Sequence, residues 1–451
     1  MRIGVRLGAS GAEAALAHSG QVLAAARRSD GGWRGLPALV RELAAAAPST
    51  VDSVVWSVTE LFEHALLAVG PRAPSPPPFT VLPAVPVASL LVLPRAPRAL
   101  AHPSELVRSL VSWRGAVTGG HDLFGSELVP VDLDAAVRAA TEARAAGLGT
   151  LTITATGASN SVAHEEAIAA RLREEFPDLR IRLSGDAGGL GLLERDATTI
   201  INAALLTTAE DLIERCERVT AAVPGSPSCW FATGDGGRVS AKRLRSVPVR
   251  SLGSDAATVL TGSAVLTRRL DAHVVLAARG LISLGRVDAG LPMIAPDLAG
   301  KLSVRTVSPI PVLNVRGSAA EPALAAELRT LVGPRVVAAF DREGTEVADR
   351  LCADIPELVP MRSEANASAV GAACSEPSAW LDIVVPADTL EELQRQQHLA
   401  ERQAMTLVAA AGAHPGSERV ISSVATALAF LGRDVYRLHV RASSEPEGER
   451  A

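Results

Sequence analysis

Arg2-Ile3-Gly4-Val5-Arg6-Leu7-Gly8-Ala9-Ser10-Gly11-Ala12-Glu13 is the stretch on which the fold turns. Ile3, Val5 and Leu7 recur at every second position, the period of a β-strand. Residues 8–11 supply a turn. Residues 14–17 and 22–27 then give two more short strands around Ser19-Gly20. The chain therefore opens as a β-meander. By the same alternation Arg6 is expected to face water from its strand.

Outward from this meander, residues 36–47 read as an Ala/Leu-rich helix, 51–56 as a strand and 60–69 as a helix. Residues 71–86 are dense in proline, which donates no N–H, and read as an extended loop. A helix over 133–146 ends at Gly147, a strand covers 151–156, a helix over 164–176 ends before Pro177, and 181–183 is a strand. Alternating strands and helices imply an α/β architecture. A long helix over 198–219 and a strand over 229–233 follow. Strands over 273–277, 281–287 and 291–293 come next, joined at Arg279-Gly280 and Ala289-Gly290. Each half thus carries a meander and strand–helix pairs, which suggests duplication into two similar lobes with a cleft between them. An amphipathic helix over 389–411, stopped at Gly412, precedes strands over 420–426 and 435–440. The polar residues 443–451 read as a frayed end. The expected division is 1–183, 184–385 and 386–451, the last a small α+β unit.

Composition narrows the function classes. A chain of 451 residues with 48% hydrophobic residues is long enough for more than one core. A net charge of −5 and 3% aromatic residues give no platform for nucleic acid or an anionic membrane. Lysine occurs only at Lys242 and Lys301 among the 44 basic residues. With the Ala, Val, Gly and Pro bias, this suggests a bacterial genome rich in G and C. The start lacks the apolar core of a signal peptide, and no apolar run is long enough to span a bilayer, so a cytoplasmic protein is expected. Cys216, Cys229, Cys352 and Cys374 form no CxxC pair and read as reduced, mostly buried thiols. No Gly-x-Ser-x-Gly elbow or His-Glu-x-x-His pair is present.

Several further runs stand in order along the chain. Gly119-Gly120-His121-Asp122-Leu123-Phe124-Gly125 is one. Leu192-Leu193-Glu194-Arg195-Asp196-Ala197-Thr198-Thr199-Ile200-Ile201-Asn202-Ala203 is a second, and Asp235-Gly236-Gly237 a third. Glu364-Ala365-Asn366-Ala367-Ser368-Ala369-Val370-Gly371-Ala372-Ala373 and Ala411-Gly412-Ala413-His414-Pro415 complete the series. Together with residues 6–13, these runs resemble the A-type subunit of hydantoinases and the related oxoprolinases over nearly the whole chain. The resemblance implies an actin-like (ribonuclease H-like) two-lobed ATPase fold. It also implies ATP and Mg²⁺ as cofactors, ATP-dependent opening of a cyclic amide, and a B-type partner subunit.

The motifs that such a site needs are altered. In that fold, hairpin backbone N–H groups and a Thr hydroxyl cradle phosphates, and a strand-end carboxylate holds the Mg²⁺ water shell. The family's Asp-x-Gly-Gly-Thr-x-Thr-Asp falls on residues 6–13, so Arg6 stands at the first acid and Ala9 at the second Gly. Ser10 keeps a hydroxyl and Glu13 a carboxylate. The corresponding second hairpin is Leu276-Ala277-Ala278-Arg279-Gly280-Leu281-Ile282-Ser283, with both acids and all the Thr residues replaced. The Ser-Gly-Pro loop becomes Gly253-Ser254-Asp255, and a Gly-Gly-Gly turn becomes Val315-Arg316-Gly317-Ser318.

The resemblance leaves Gly8, Ser10, Gly11, Gly236 and Gly237 as nucleotide-binding candidates, with the metal undetermined. Glu13, His121, Asp122 and Asp235 are the catalytic candidates. Each has a plainer reading. His121-Asp122 reads first as a turn made by Gly119-Gly120. Asp196 reads as the N-cap of a helix starting near Ala197. Asp235-Gly236-Gly237 reads as an ordinary turn. His64, His164, His273 and His414 are isolated and take no ligand role. Two functions stay open: a non-catalytic partner or regulatory subunit, and an altered hydrolase working through Ser10, Glu13, His121, Asp122 and Asp235. Unreactive binding of a small cyclic-amide ligand is a third.

Overall fold

The computed structural model describes every residue except 10, 30, 71–77, 279–280, 296–301, 318–320, 340–341, 362–364, 432–433 and 446–451. Ser10, the Arg279-Gly280 turn, Ser318 and Glu364 therefore lie outside the described residues.

Strands β1 (Arg2–Gly8), β2 (Gly11–His18) and β3 (Gln21–Arg28) form the opening meander. Helix α1 (Gly32–Ala45) buries Leu36, Leu39, Val40 and Leu43, the spacing of one helix face. Strand β4 (Ser53–Ser57) lies parallel to β1, and α2 (Thr59–Leu67) follows. A four-stranded, all-parallel sheet is then inserted: β5 (Val87–Leu93), α3 (Glu105–Leu110), β6 (Val111–Thr118), α4 (Leu133–Ala145), β7 (Thr150–Ala155), α5 (Ala163–Glu175) and β8 (Arg180–Leu183). Its order is β6-β5-β7-β8.

The long helix α6 (Leu192–Thr220) returns the chain to the first sheet, which β9 (Ser228–Ala232) and β10 (Arg238–Ser240) complete in the order β10-β9-β4-β1-β2-β3. Helices α7 (Ala241–Ser246) and α8 (Ser254–Thr267) lead to β11 (Ala272–Ala278), β12 (Leu281–Asp288) and β13 (Leu291–Pro292). A two-stranded pair, β14 (Ile294–Ala295) and β15 (Ile310–Pro311), precedes β16 (Asn314–Gly317), α9 (Glu321–Thr330), β17 (Arg335–Ala339), α10 (Arg342–Asp354) and β18 (Leu358–Met361). The second large sheet runs β13-β12-β11-β17-β18, with β16 also on β12. Helix α11 (Ala367–Cys374) precedes the last unit, β19 (Ser378–Pro386), α12 (Leu390–Ala411), β20 (Glu418–Ala427) and β21 (Val435–Ser444), ordered β19-β21-β20.

The duplication expected from sequence has a counterpart in strand order. In both large sheets an antiparallel meander is followed, on its first strand's other side, by two parallel strands. The first sheet takes β9 and β10 from beyond residue 184, so a cut at 183/184 divides it. Likewise β19 pairs with β21, although it precedes residue 386 except at its last position. Residues 315–317, expected as a turn, belong to a strand on β12.

Burial explains where alternation misleads. Strand β1 is buried along nearly its whole length because both faces are covered. Ile3, Val5 and Leu7 pack into the core shared with α1, α2 and α6. The other face meets α11 so closely that a Cβ on Gly4 would lie 1.9 Å from the Ala369 carbonyl oxygen. Arg6 is therefore not a solvated strand residue; its side chain is 15% exposed. Asp196 is not an N-cap either, since α6 starts four residues earlier behind Gly191 and Asp196 is fully buried within it. By contrast, α12 begins and ends as read: the Thr389 hydroxyl accepts from the Glu392 N–H, and Gly412 closes the helix at φ 109°.

No described helix is long and apolar enough to cross a membrane. None of the four cysteines forms a disulfide. Burial pushes the Cys216 thiol well up, Cys229 to about 12 and Cys374 to about 11. Since the thiolate is the reactive form, these three should resist brief iodoacetamide treatment of the native protein and react after unfolding in urea. Peptide mass spectrometry before and after denaturation checks this; rapid native alkylation of Cys216 would contradict the buried placement.

Candidate functional site

The opening hairpin places Gly8 opposite Gly11 and Arg6 opposite Glu13. Around Arg6, three elements bring acids together. Glu13 comes from β2, Glu60 from the first turn of α2, and Asp255 from the first turn of α8. A carboxylate in a helix's first turn is favoured by the amide dipoles there. Arg6 Nη1 lies 3.1 Å from Glu13 Oε2, and Nε lies 2.8 Å from Asp255 Oδ1. Its Nη2 bonds to Glu60 Oε1. The Asp255 charge, then those of Glu60 and Glu13, raise the Arg6 pKa against the opposing effect of burial.

The remaining acceptors are also engaged. The Ala9 N–H donates to Glu60 Oε2 at 2.7 Å. Asn366 Nδ2 donates to Glu13 Oε2 at 2.7 Å, and the Ser368 hydroxyl donates to Asp255 Oδ1 at 2.7 Å. The Asp255 N–H donates to the Thr59 hydroxyl at 3.1 Å. One guanidinium therefore ties β1, β2, α2 and α8, and α11 closes over the group. A Cβ on Gly8 would lie 2.9 Å from both Arg6 Nη2 and Glu60 Oε2, so the ion pair fills the space beside the hairpin glycine.

His121 and Asp122 lie beyond the C-terminal end of β6, after Gly119 and Gly120 at φ 152° and 118°. Their side chains serve different partners. Asp122 Oδ1 accepts the N–H groups of Phe124 and Ser126 at 2.8 and 2.9 Å, closing a turn that holds this carboxyl below its usual range. The His121 ring is buried, 4.1 Å from that of His164 between centroids. The Gly120 N–H donates to His164 Nδ1 at 2.8 Å, so neutral His164 carries its proton on Nε2 and donates it to Glu127 Oε1 at 2.9 Å. Burial, then the neighbouring His164, lower the His121 pKa.

Asp235 is 2% exposed in the turn between β9 and β10. Ser378 donates to its Oδ2 at 2.6 Å, Thr233 donates to Oδ1, and Gly237 N–H lies 3.4 Å from Oδ1. The Arg250 charge and the Ser378 and Thr233 hydroxyls hold this carboxyl low against burial. Gly236 and Gly237 pack against Pro292 and Ser378. This turn, the His121 loop and the Arg6 cluster each draw on their own set of partners.

Sequence reading missed Glu60 as a partner of Arg6, and Asn366 and Ser368 as donors to its acids Glu13 and Asp255. Asp255 stood in a run marked by the resemblance, but nothing local pointed to its ion pair. It also missed a buried network beside α6. Arg195 donates to the Ser184 hydroxyl and the Ala155 carbonyl at 2.6 and 2.9 Å, while Glu165 accepts from Ser184, Gly185 and Ala155. Burial raises the Glu165 pKa and lowers that of Arg195. Among the described residues no group of His, Cys, Asp and Glu could hold a metal ion.

No protein-family model and no curated protein sequence matches the chain. Solved structures do. The ATP-dependent caprolactamase from Pseudomonas jessenii aligns with a TM-score of 0.72 and 13% identity, over 98% of this chain and 87% of that one. The nucleotide-free acetone carboxylase, from a study of ATP-dependent acetone carboxylation, aligns with a TM-score of 0.67 and 13% identity, over 99% and 88%. At such identity the likeness concerns fold and leaves the chemistry to the site. The chain shares its mixed α/β fold with these two ATP-dependent enzymes.

Proposed function

We propose that this chain is a hydantoinase/oxoprolinase-like protein of the actin-like, two-lobed type that no longer hydrolyses ATP and acts in the cytoplasm as a partner or regulatory subunit. The repeated strand order and the two structural likenesses support the fold part of this reading. The observation that carries the functional part is the Arg6 cluster. Where the resemblance requires a carboxylate for the Mg²⁺ water shell, a cation stands, already paired with Glu13, Glu60 and Asp255. These residues do not fit Mg²⁺–ATP: a second cation would meet a neutralised cluster, and a phosphate would have to displace Glu60 from both Arg6 and the Ala9 N–H.

Glu13, proposed from the resemblance as catalytic, serves Arg6 and Asn366. Asp235 is bonded by Thr233 of its own turn and Ser378 of β19, and Asp122 by its own loop. These candidate groups sit in separate clusters, so hydrolysis of a cyclic amide through them has no geometric support. A B-type subunit is the partner class that the resemblance suggests.

Calorimetric titration of the purified chain with Mg²⁺–ATP, beside thermal melting with and without the nucleotide, tests the reading. No binding heat and an unchanged melting temperature are expected. Saturable binding that depends on Mg²⁺ would sink the proposal and call for a hydrolase assay.

A further inference from the structure

A second region, sharing no residue with the Arg6 cluster, has the make-up of a ligand site. It is a cleft of about 280 Å³ between the glycine-bearing turn after β8, the N-terminal half of α6, the α7 region, and the β19–α12 face of the last unit. Its polar walls include Arg243, Arg250, Asn202, Asp186, Asp382 and Trp380. A smaller cavity of about 150 Å³ adjoins it, sharing Arg243, Asn202 and Asp186 and adding Arg182. The volume approaches the lower end of small-molecule pockets.

Charge in this cleft is unbalanced. Asp382 is neutralised from behind, with Arg437 Nε 2.8 Å and His439 Nε2 3.2 Å from its Oδ1. Asp235, which does not line the cleft, is already bonded by Ser378 and Thr233 and attracts both Arg250 and Arg441. That leaves Asp186 as the acid facing Arg243. Neither Arg243 nor Arg250 closes a salt bridge among the described residues. Burial and the Arg250 charge both press the Arg243 guanidinium below its ordinary value. Two like charges held together in a partly desolvated cleft gain from an anion between them.

Further donors stand ready. Asn202 spends its carbonyl oxygen on the Val249 N–H at 2.9 Å, and its amide nitrogen has no partner among the described residues. Trp380 Nε1 is buried without a hydrogen-bond partner there, while its ring stacks on His439 at 5.2 Å. A buried indole N–H without an acceptor is unusual in a settled interior. Val247, Val249, Val307 and Leu407 supply an apolar wall.

The geometry points to a binding site for a small dicarboxylate with an apolar body, held by Arg243 and Arg250 and received by Asn202. Planar guanidinium groups suit carboxylates, and the apolar wall suits the carbon frame between them. This assignment does not depend on whether the protein binds ATP.

Phthalate is the probe, titrated calorimetrically into the full chain, with the neutral phthalamide and inorganic phosphate run in parallel. Saturable phthalate binding with a Kd of about 1 mM or tighter is expected, with neither control saturating. Arg243→Gln should weaken it by about tenfold or more while the unliganded melting temperature holds. Leu407→Trp, which narrows the cleft without removing charge, should also abolish it. Absence of saturation by phthalate at about 10 mM overturns the proposal. Equal binding of phthalamide, or binding that Arg243→Gln leaves unchanged, overturns it as well. Saturation by phosphate with none by phthalate overturns the carboxylate assignment.

Discussion

Arg6→Met should lower the unfolding free energy by about 3 kcal/mol or more, read as a shift of the urea midpoint with little change in slope. Methionine fits the stem but leaves Glu13, Glu60 and Asp255 facing one another without their common cation. All three are largely withdrawn from water, at 13%, 25% and 25% side-chain exposure. Removing one member of a buried ionic group costs more than the group contributes, because the remaining charges stay desolvated and unpaired. The double variant Arg6→Met with Glu60→Gln should recover part of the loss, since the two sites share a partner and are not additive. A midpoint for Arg6→Met equal to that of the parent would show that the cluster is only a surface feature.

The second large effect is steric. Helices α8 and α11 cross with glycine opposite glycine. A Cβ on Gly371 would lie 1.9 Å from the Thr258 carbonyl oxygen, and one on Gly262 would lie 1.8 Å from that of Ala367. The obstruction is backbone, so no rotamer change relieves it; the helices must part. Gly371→Ala should therefore cost about 3 kcal/mol, the upper part of the range for overpacked interiors. It should also loosen the Ser368 and Asn366 bonds to the Arg6 cluster. Gly149→Ala, where nothing lies within 4 Å, is the matched control and should be near neutral. Thermal melting of the two variants decides the matter; equal stability would mean that the helices do not cross this closely.

What the sequence disclosed, and what it hid, follows from the distance over which each signal acts. The β1–β3 meander was legible because alternation and turn glycines are local. The ends of α12 were legible because Thr389 and Gly412 are local caps. Strand β5 was not, since Val87–Leu93 is a buried parallel strand whose unbroken apolar run lacks a period. Helix α8 escaped for a related reason: it is buried on most sides, with Ala257 to Ala264 continuously covered, so no polar face marks it. The altered hairpin motifs were visible through the resemblance. The environment of Arg6 was not, because Glu60 and Asp255 are 54 and 249 positions away. Arg243 and Arg250 belong to no motif, and only the packing of α6, β19 and α12 gives them a shared cleft.

The position of α11 has a further consequence for the order in which the molecule can be made. Strand β1 leaves the ribosome long before α11, yet α11 covers the Gly4 face of that strand, and Arg2 bonds to Glu376, 374 positions later. Contacts this distant in sequence form late, because the intervening chain must be closed before they repay its entropy. The first sheet must also wait for β9 before β4 has its outer neighbour. During synthesis the meander is thus an incomplete layer, with the Gly4 and Ala15 face open until α11 is made. The inserted parallel sheet, whose strands and helices all lie between residues 87 and 183, has its own core and can close while that wait continues.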